Sequence, residues 1–173
     1  MIRIYLSSPY EFSRAEQSWK KDASVALTTF DSRIKVVDPC PFDDTSSETL
    51  TIKALRDNED WLGLSAFCNN IVEADLAMLN NCEGVVCYLP AKSQTVGSIH
   101  ELVHAIQRHV PVVLVCPEGP SKVSSWLWGL LGPSRIFSDL ELACTELAKR
   151  VQVARGEKQN GEIHYVGRSE TDR

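Results

Sequence analysis

Two carboxylates stand where a nucleophilic or acid–base reaction could use them. Glu101 lies one turn into an expected helix that follows an apolar strand and a loop, so the helix N-terminus favours its ionised form. Asp75 interrupts an apolar stripe formed by Ile71, Met78 and Cys82, and a carboxyl group there must be paired, protonated or facing a cavity. One ionised and one protonated carboxyl group form the pair that cleaves glycosidic bonds.

Each carboxylate also has a simpler interpretation. Ser98 and Glu101 fit the S-x-x-E capping box, in which Glu101 would only cap its own helix. Asp75 could lie at the edge of its stripe, bonded to backbone or solvent. The residue types alone leave these alternatives open.

Residues 100–104 read His-Glu-Leu-Val-His and match the zinc-peptidase motif H-E-x-x-H. On a helix, His100 and His104 share one face and could ligate zinc, with Glu101 as the general base. The longer metzincin motif fails, because Gln107 and Val110 stand where it requires glycine and histidine. The flanking pattern is strand–helix–strand, so a zinc peptidase is kept only as an alternative.

A hydroxyl-rich loop leads into the helix that carries Glu101. It contains Ser93, Thr95, Gly97 and Ser98. Hydroxyl groups, backbone N–H groups and the helix dipole together favour a bound phosphate. Ordinary loop and cap composition is the other explanation of the same residues.

The chain alternates short apolar strands with helices about five times. The periodicity predicts strands at 2–8, 34–38, 84–90, 111–116 and 135–138, and helices within 11–31, 62–82, 98–109, 121–131 and 140–154. Residues 42–60 are interpreted as a polar excursion with one helical turn near 49–56. Because the central strands are continuously apolar, both faces of the sheet must be covered. The pattern therefore predicts a doubly wound parallel α/β sheet.

Ligands of such sheets bind beyond the C-terminal ends of the strands. The strand ends predict Ser7, Ser8, Pro9 and Tyr10 after the first strand, and Asp38 after the second, as binding residues. No G-x-G-x-x-G follows the first strand and no P-loop sequence occurs, which disfavours a standard dinucleotide fold and a P-loop NTPase.

Length and composition predict one domain, residues 1–155, followed by a polar tail, residues 156–173. The 173 residues are 43% hydrophobic and carry a formal net charge of -5, which disfavours a nucleic-acid-binding surface. No apolar run is long enough for a membrane span and no signal peptide is evident, so a cytoplasmic protein is expected. The six cysteines form no C-x-x-C pair and are expected to be reduced, buried thiols.

Three segments in register resemble the nucleoside 2-deoxyribosyltransferase family, whose superfamily includes the 2′-deoxynucleoside and nucleotide N-hydrolases. The segments are IYLSSPY at 4–10, ADLAMLNNCEGVV at 74–86 and VGSIHELVHA at 96–105. The resemblance implies a flavodoxin-like five-stranded sheet. It also implies cleavage of the N-glycosidic bond of a nucleoside or nucleotide by double displacement, without a metal or other cofactor.

The resemblance also implies roles for individual residues. Glu101 corresponds to the nucleophile that forms a glycosyl-enzyme, Asp75 to the residue that handles protons at the base, and Tyr5 to the tyrosine that positions the glutamate. Residues 7–10 would line the substrate pocket. The resemblance implies a homo-oligomer whose sites are completed by a neighbouring subunit, and the apolar helix with Trp126 and Trp128 agrees with a subunit contact.

One position departs from the relatives that act on free nucleosides. These resemble one another in carrying an aspartate six residues before the nucleophile, where this chain has Thr95. Nucleotide hydrolases look different there, with a serine that binds the 5′-phosphate. The resemblance thus favours a nucleoside 5′-monophosphate as substrate and leaves transferase or hydrolase open. A non-catalytic nucleotide-binding module on the same fold is a further alternative.

Overall fold

The computed structural model describes residues 1–9, 18–39, 47–92 and 95–157. Within these ranges five strands and six α-helices follow one another along the chain. They are β1 (Ile2–Ser7), α1 (Ser18–Phe30), β2 (Ile34–Val37), α2 (Ser47–Asp57), α3 (Trp61–Asn80), β3 (Gly84–Tyr88), α4 (Val96–Gln107), β4 (Val112–Val115), α5 (Ser125–Leu131), β5 (Ile136–Phe137) and α6 (Leu140–Ala154).

The five strands form one parallel sheet in the order β2-β1-β3-β4-β5. The predicted doubly wound, flavodoxin-like α/β sheet is therefore confirmed. The chain first winds outward from β1 to β2 and then crosses back to β3. The topological switch point thus lies between β1 and β3, and their C-terminal ends are where a ligand is expected.

Each face of the sheet has its own apolar core. Helices α1 and α6 cover one face, with Trp19, Ala23, Leu27, Ala143 and Leu147 packed against it. Helices α3, α4 and α5 cover the other, with Leu79, Leu102, Ala105, Leu127 and Leu131. Because both faces are covered, β3 and β4 consist almost entirely of buried residues, which explains their continuous apolar sequences.

Strand β3 begins at Gly84, where α6 approaches the sheet closely. A Cβ atom at this position would lie 2.8 Å from side-chain atoms of both Ile4 and Val151. A larger residue would therefore push α6 away from the β1–β3 pair. That pair is in parallel register with Tyr5 opposite Val85 and Ser7 opposite Cys87.

All five predicted strands are confirmed, but three helices differ from the prediction. Helix α2 has 11 residues where only one turn was expected, because it pairs with α3 despite its polar sequence. Helix α4 begins at Val96 instead of residue 98. The helix expected at 121–131 is a 3₁₀ turn, Pro120–Lys122, followed by α5, because Val123 is extended between them.

The cysteine prediction is confirmed for most of the described thiols. Cys82, Cys87, Cys116 and Cys144 are free and buried, whereas Cys68 is free and partly exposed. Cys40 lies outside the described residues, as does the predicted tail apart from Gly156 and Glu157.

Large apolar side chains are exposed on α3 and α5. Trp61 and Leu62 begin α3 with 61% and 83% exposure, and Trp126 of α5 is 76% exposed. Trp128 instead packs against the core and donates its indole N–H to the Pro120 carbonyl, so the two tryptophans face different surroundings. Across the described chain, no helix is both long and apolar enough to cross a membrane.

Candidate active site

The Glu101 carboxylate is held by two hydroxyl groups of β1. Tyr5 donates to Oε1 at 2.7 Å, and Ser7 donates to Oε2 at 2.5 Å. Tyr5 and Ser7 are fully buried and are two residues apart, so both side chains leave the same face of the strand. The two bonds fix the orientation of the carboxylate at the switch point of the sheet.

Burial and hydrogen bonding act on the ionisation of Glu101 in opposite directions. Burial raises the pKa of Glu101, and the hydrogen bonds from Ser7 and Tyr5 oppose that rise because they favour the charged form. Burial, followed by the charge of Glu101, raises the pKa of Tyr5 far above its ordinary value. Tyr5 therefore remains a protonated donor throughout the physiological range.

The capping-box interpretation of Ser98 and Glu101 is wrong. Helix α4 begins at Val96 with Thr95 as its N-cap, so Ser98 already lies within the first turn. The carboxylate of Glu101 reaches across to β1 instead of turning back onto its own helix.

Asp75 lies on α3, half-buried and electrostatically coupled to Glu101. Burial raises its pKa to about 6, and the charges of Glu101 and Glu48 add to the effect. Asp75 also contributes to the raised pKa of Tyr5. The site therefore contains a carboxylate fixed by hydroxyl donors and a second carboxyl group that stays partly protonated near pH 6.

Thr95 and Ser98 lie together at the start of α4. Their hydroxyl oxygens lie 3.1 Å apart, and Ser98 is almost completely buried. Gly97 is exposed, and among the described residues a Cβ atom there would meet no neighbour within 4 Å. Ser93 lies outside the described residues.

The other predicted binding residues lie at the strand ends. Ser8 and Pro9 directly follow β1, Ser8 partly exposed and Pro9 buried, and Tyr10 lies outside the described residues. Asp38 follows β2, and its Oδ1 is 2.7 Å from Lys20 Nζ of α1.

Two charged residues near the site were missed by the sequence analysis. Lys20 is only 6% exposed and its charge lowers the pKa of Glu101, while Glu48 of α2 raises that of Asp75. Lys20 stands three residues before Ala23 on the core-facing stripe of α1. Because a charged side chain on such a stripe needs a polar partner, its position in the sequence could have marked it as a candidate site residue. Glu48 gave no signal, because it lies in a segment expected to be mostly irregular.

The H-E-x-x-H residues do not assemble as a zinc site requires. The rings of His100 and His104 are 6.4 Å apart and steeply inclined, and His104 Nε2 is 2.8 Å from Asn80 Oδ1. Glu101 is directed to β1. Within the described ranges no group of three His, Cys, Asp or Glu side chains is placed to hold a metal ion. The donor set thus gives the zinc-peptidase alternative no support.

Comparison with solved structures agrees with this architecture. No protein-family model matches the chain, and no curated protein sequence matches it significantly. Among solved structures, a 2-deoxyribosyltransferase from the psychrotolerant bacterium Bacillus psychrosaccharolyticus superposes with a TM-score of 0.55 at 16% identity, covering 82% of this chain and 90% of its own. A conserved protein from Enterococcus faecalis V583 superposes with a TM-score of 0.56 at 18% identity, covering 87% of this chain and 99% of its own. At these identities the similarity establishes a shared fold.

Proposed function

We propose that this protein cleaves, or transfers a sugar at, the N-glycosidic bond of a (deoxy)nucleoside or nucleoside 5′-monophosphate through a covalent glycosyl–Glu101 intermediate. The observation that carries the proposal is the partly buried Glu101 carboxylate, oriented by Tyr5 and Ser7 and coupled to the partly protonated Asp75. The fold shared with a 2-deoxyribosyltransferase supports the same class of reaction.

In the first step, a carboxylate oxygen of Glu101 attacks the anomeric carbon of the sugar. The new C–O bond forms as the C–N bond breaks, and the electron pair of that bond leaves with the base. Asp75 gives its proton to the departing base, which requires the protonated form, and the raised pKa of about 6 keeps part of the molecules in that form near pH 6. Tyr5 and Ser7 hold the attacking carboxylate in place.

In the second step, water or an acceptor base attacks the same carbon and displaces Glu101. Esterified Glu101 has no charge, so one cause of the raised pKa of Asp75 disappears with it. Asp75 then favours its ionised form and accepts the proton of the attacking group. The same residue thus serves as acid in the first step and base in the second.

The loop before α4 supports a 5′-monophosphate substrate. The hydroxyls of Thr95 and Ser98 lie together at the start of a 12-residue helix, where a phosphate dianion is favoured electrostatically. A carboxylate at position 95 would instead repel that phosphate.

The exposed apolar residues of α3 and α5 support a homo-oligomer. The 20-residue helix α3 has a single fully buried residue, Leu79, although its sequence is strongly apolar. Burial of Trp61, Leu62 or Trp126 against a second copy would remove this apolar surface from water. Sedimentation of the dilute, active protein as a monomer would contradict this part of the proposal.

The proposal is tested by incubating the purified protein with a panel of nucleosides and nucleotides and measuring free base by chromatography. Addition of a second base separates transfer from hydrolysis. The Glu101→Gln variant should release no base, and Glu73→Gln, an exposed carboxylate on α3, is the matched control that should retain activity. Ligand-dependent thermal stabilisation without turnover would favour a nucleotide-binding module instead.

A further inference from the structure

A groove at the end of α4 combines basic and apolar side chains. Its volume is about 420 Å³, which is within the range of small-molecule sites. Among the described residues it is lined by Ile106, His109, Val110, Pro111, Val112, Arg135 and Arg150. Three of these side chains are basic and the others are apolar, whereas none is acidic. The groove is therefore suited to a ligand that has both an anionic and an apolar part.

The groove lies at the edge of the sheet opposite to the candidate active site. Val112 is the first residue of β4, and Arg135 directly precedes β5. Glu101 is instead bonded to Ser7, the last residue of β1. Because all five strands are parallel, their first and last residues lie at opposite edges of the sheet. A ligand in the groove would thus leave the candidate active site unoccupied.

The guanidinium group of Arg135 is held in place without being neutralised. Its Nε and Nη2 donate to the carbonyl oxygens of Leu131 and Leu130 at the end of α5, the latter at 3.0 Å. These contacts do not use the N–H donors of Nη1. Within the described part of the chain, no carboxylate forms an ion pair with Arg135. Its charge is therefore available to an anionic ligand.

Arg150 of α6 is held beside the groove by two neighbours. Its Nη2 lies 3.0 Å from the Ser134 carbonyl oxygen and 2.8 Å from Glu146 Oε1, and its Nε also donates to Glu146. Nη1 takes no part in these contacts, and Glu146 does not line the groove. Two guanidinium groups that are already oriented lose little conformational freedom when they bind an anion.

His109 ends α4 in a left-handed conformation that glycine usually adopts. Its φ is 59°, and the N–H groups of His109 and Val110 donate to the carbonyl oxygens of Ile106 and Ala105, as in a Schellman motif. Glycine would make the same backbone bonds without the strain of a side chain at positive φ. A ligand that binds the imidazole group would explain why this position carries a histidine that lines the groove.

We propose that this groove binds an organic phosphate, with its phosphoryl oxygens held by Arg135, Arg150 and His109 and its organic part against the apolar lining. Guanidinium groups match the oxygens of phosphate in geometry and charge. Three donors from separate elements suit a tetrahedral phosphate better than a planar carboxylate. The apolar lining would remove the carbon surface of the ligand from water. The inference does not depend on the proposed reaction at Glu101.

The test titrates the full chain with phenyl phosphate, inorganic phosphate and phenol, followed by NMR. The backbone amide signals of Ile106, Val110 and Val112 report on the groove alone and give its Kd. Phenyl phosphate should shift these signals together with the Nε–H signals of Arg135 and Arg150. It should bind more tightly than inorganic phosphate or phenol, each of which has only half of the required chemistry.

Two variants test the basic side chains. Arg135→Gln should weaken the binding of phenyl phosphate about tenfold or more, because a charge-assisted hydrogen bond is lost. His109→Gly should also weaken it but should raise Tm, because the backbone strain is relieved. If Arg135→Gln fails to fold, His109→Gly decides the result, since its weaker binding cannot come from a loss of fold.

Two controls should bind phenyl phosphate as the wild type does. Arg108→Gln removes an exposed charge next to His109 that does not line the groove. Glu101→Gln alters the candidate active site at the opposite edge of the sheet.

Absence of shifts in the groove signals would overturn the inference. Wild-type affinity in both Arg135→Gln and His109→Gly, or phenol or inorganic phosphate binding as tightly as phenyl phosphate, would overturn it equally. Shifts confined to the start of α4 would place the ligand at the candidate active site and also contradict the inference. Absence of base release would overturn only the proposed function, because the NMR titration needs no turnover.

Discussion

Replacing Asp75 with asparagine should stabilise the fold while removing activity. The pKa of Asp75 is about 6 in the folded chain against 3.8 for an ordinary aspartate, because burial and the charge of Glu101 disfavour ionisation. The folded state thus binds the proton more tightly than the unfolded state. Stability falls as pH rises from about 4 to about 6, and the full cost of the charge is present at higher pH.

The size of the effect follows from the separation of the two pKa values. A difference of about two units corresponds to about 3 kcal/mol for a fully buried group. Asp75 is only half-buried, so solvent screening reduces the expected gain to about 1 kcal/mol. In a chain of this length that free energy raises Tm by about 2–4 °C.

Thermal unfolding of wild type and Asp75→Asn at pH 4 and pH 8 measures this gain. The variant should melt higher at pH 8 and close to the wild type at pH 4, and its base release should fall about 10²–10⁴-fold. Glu73→Gln removes an exposed carboxylate from the same helix and should change neither property. A destabilised Asp75→Asn at pH 8, or an equal Tm gain at both pH values, would refute the reasoning.

Three other changes test the remaining parts of the site. Tyr5→Phe keeps the buried ring but removes a charge-assisted hydrogen bond to Glu101 worth about 1.5–3 kcal/mol. The kcat/KM of base release should therefore fall about tenfold to a hundredfold while the protein stays folded. Unchanged kinetics would exclude Tyr5 from the site. Thr95→Asp should lower the ratio of nucleotide to nucleoside kcat/KM, and an unaltered ratio would show that this loop does not read the phosphate. EDTA should leave base release unchanged, whereas a loss reversed by zinc would restore the role of His100 and His104.

The sheet was predictable from the sequence because its strands are short apolar runs separated by helices. A continuously apolar strand such as β4, Val112–Val115, is buried on both faces, and this pattern is typical of a parallel sheet with helices on both sides. Helix α2 was predicted only as a single turn because its sequence is polar and none of its residues is fully buried; its pairing with α3 is a tertiary effect.

The site was predictable where a residue broke a pattern or where family resemblance assigned it. Asp75 interrupts an apolar stripe, and Glu101 and Tyr5 come from segments that resemble a known family. The bonds from Tyr5 and Ser7 to Glu101 join residues more than 90 positions apart, so local pattern could not distinguish them from a helix cap. Lys20 was overlooked because a lysine beside apolar residues usually extends to solvent.

The covalent intermediate on Glu101 is the central claim, and mass spectrometry of a quenched reaction tests it most directly. Wild-type protein mixed with a slow nucleotide substrate, stopped in acid and digested, should yield the peptide that contains Glu101 with the added mass of the sugar phosphate. The adduct should disappear as the reaction is chased with water or acceptor base. Base release with Glu101 unmodified throughout, or an adduct on another residue, would contradict the account.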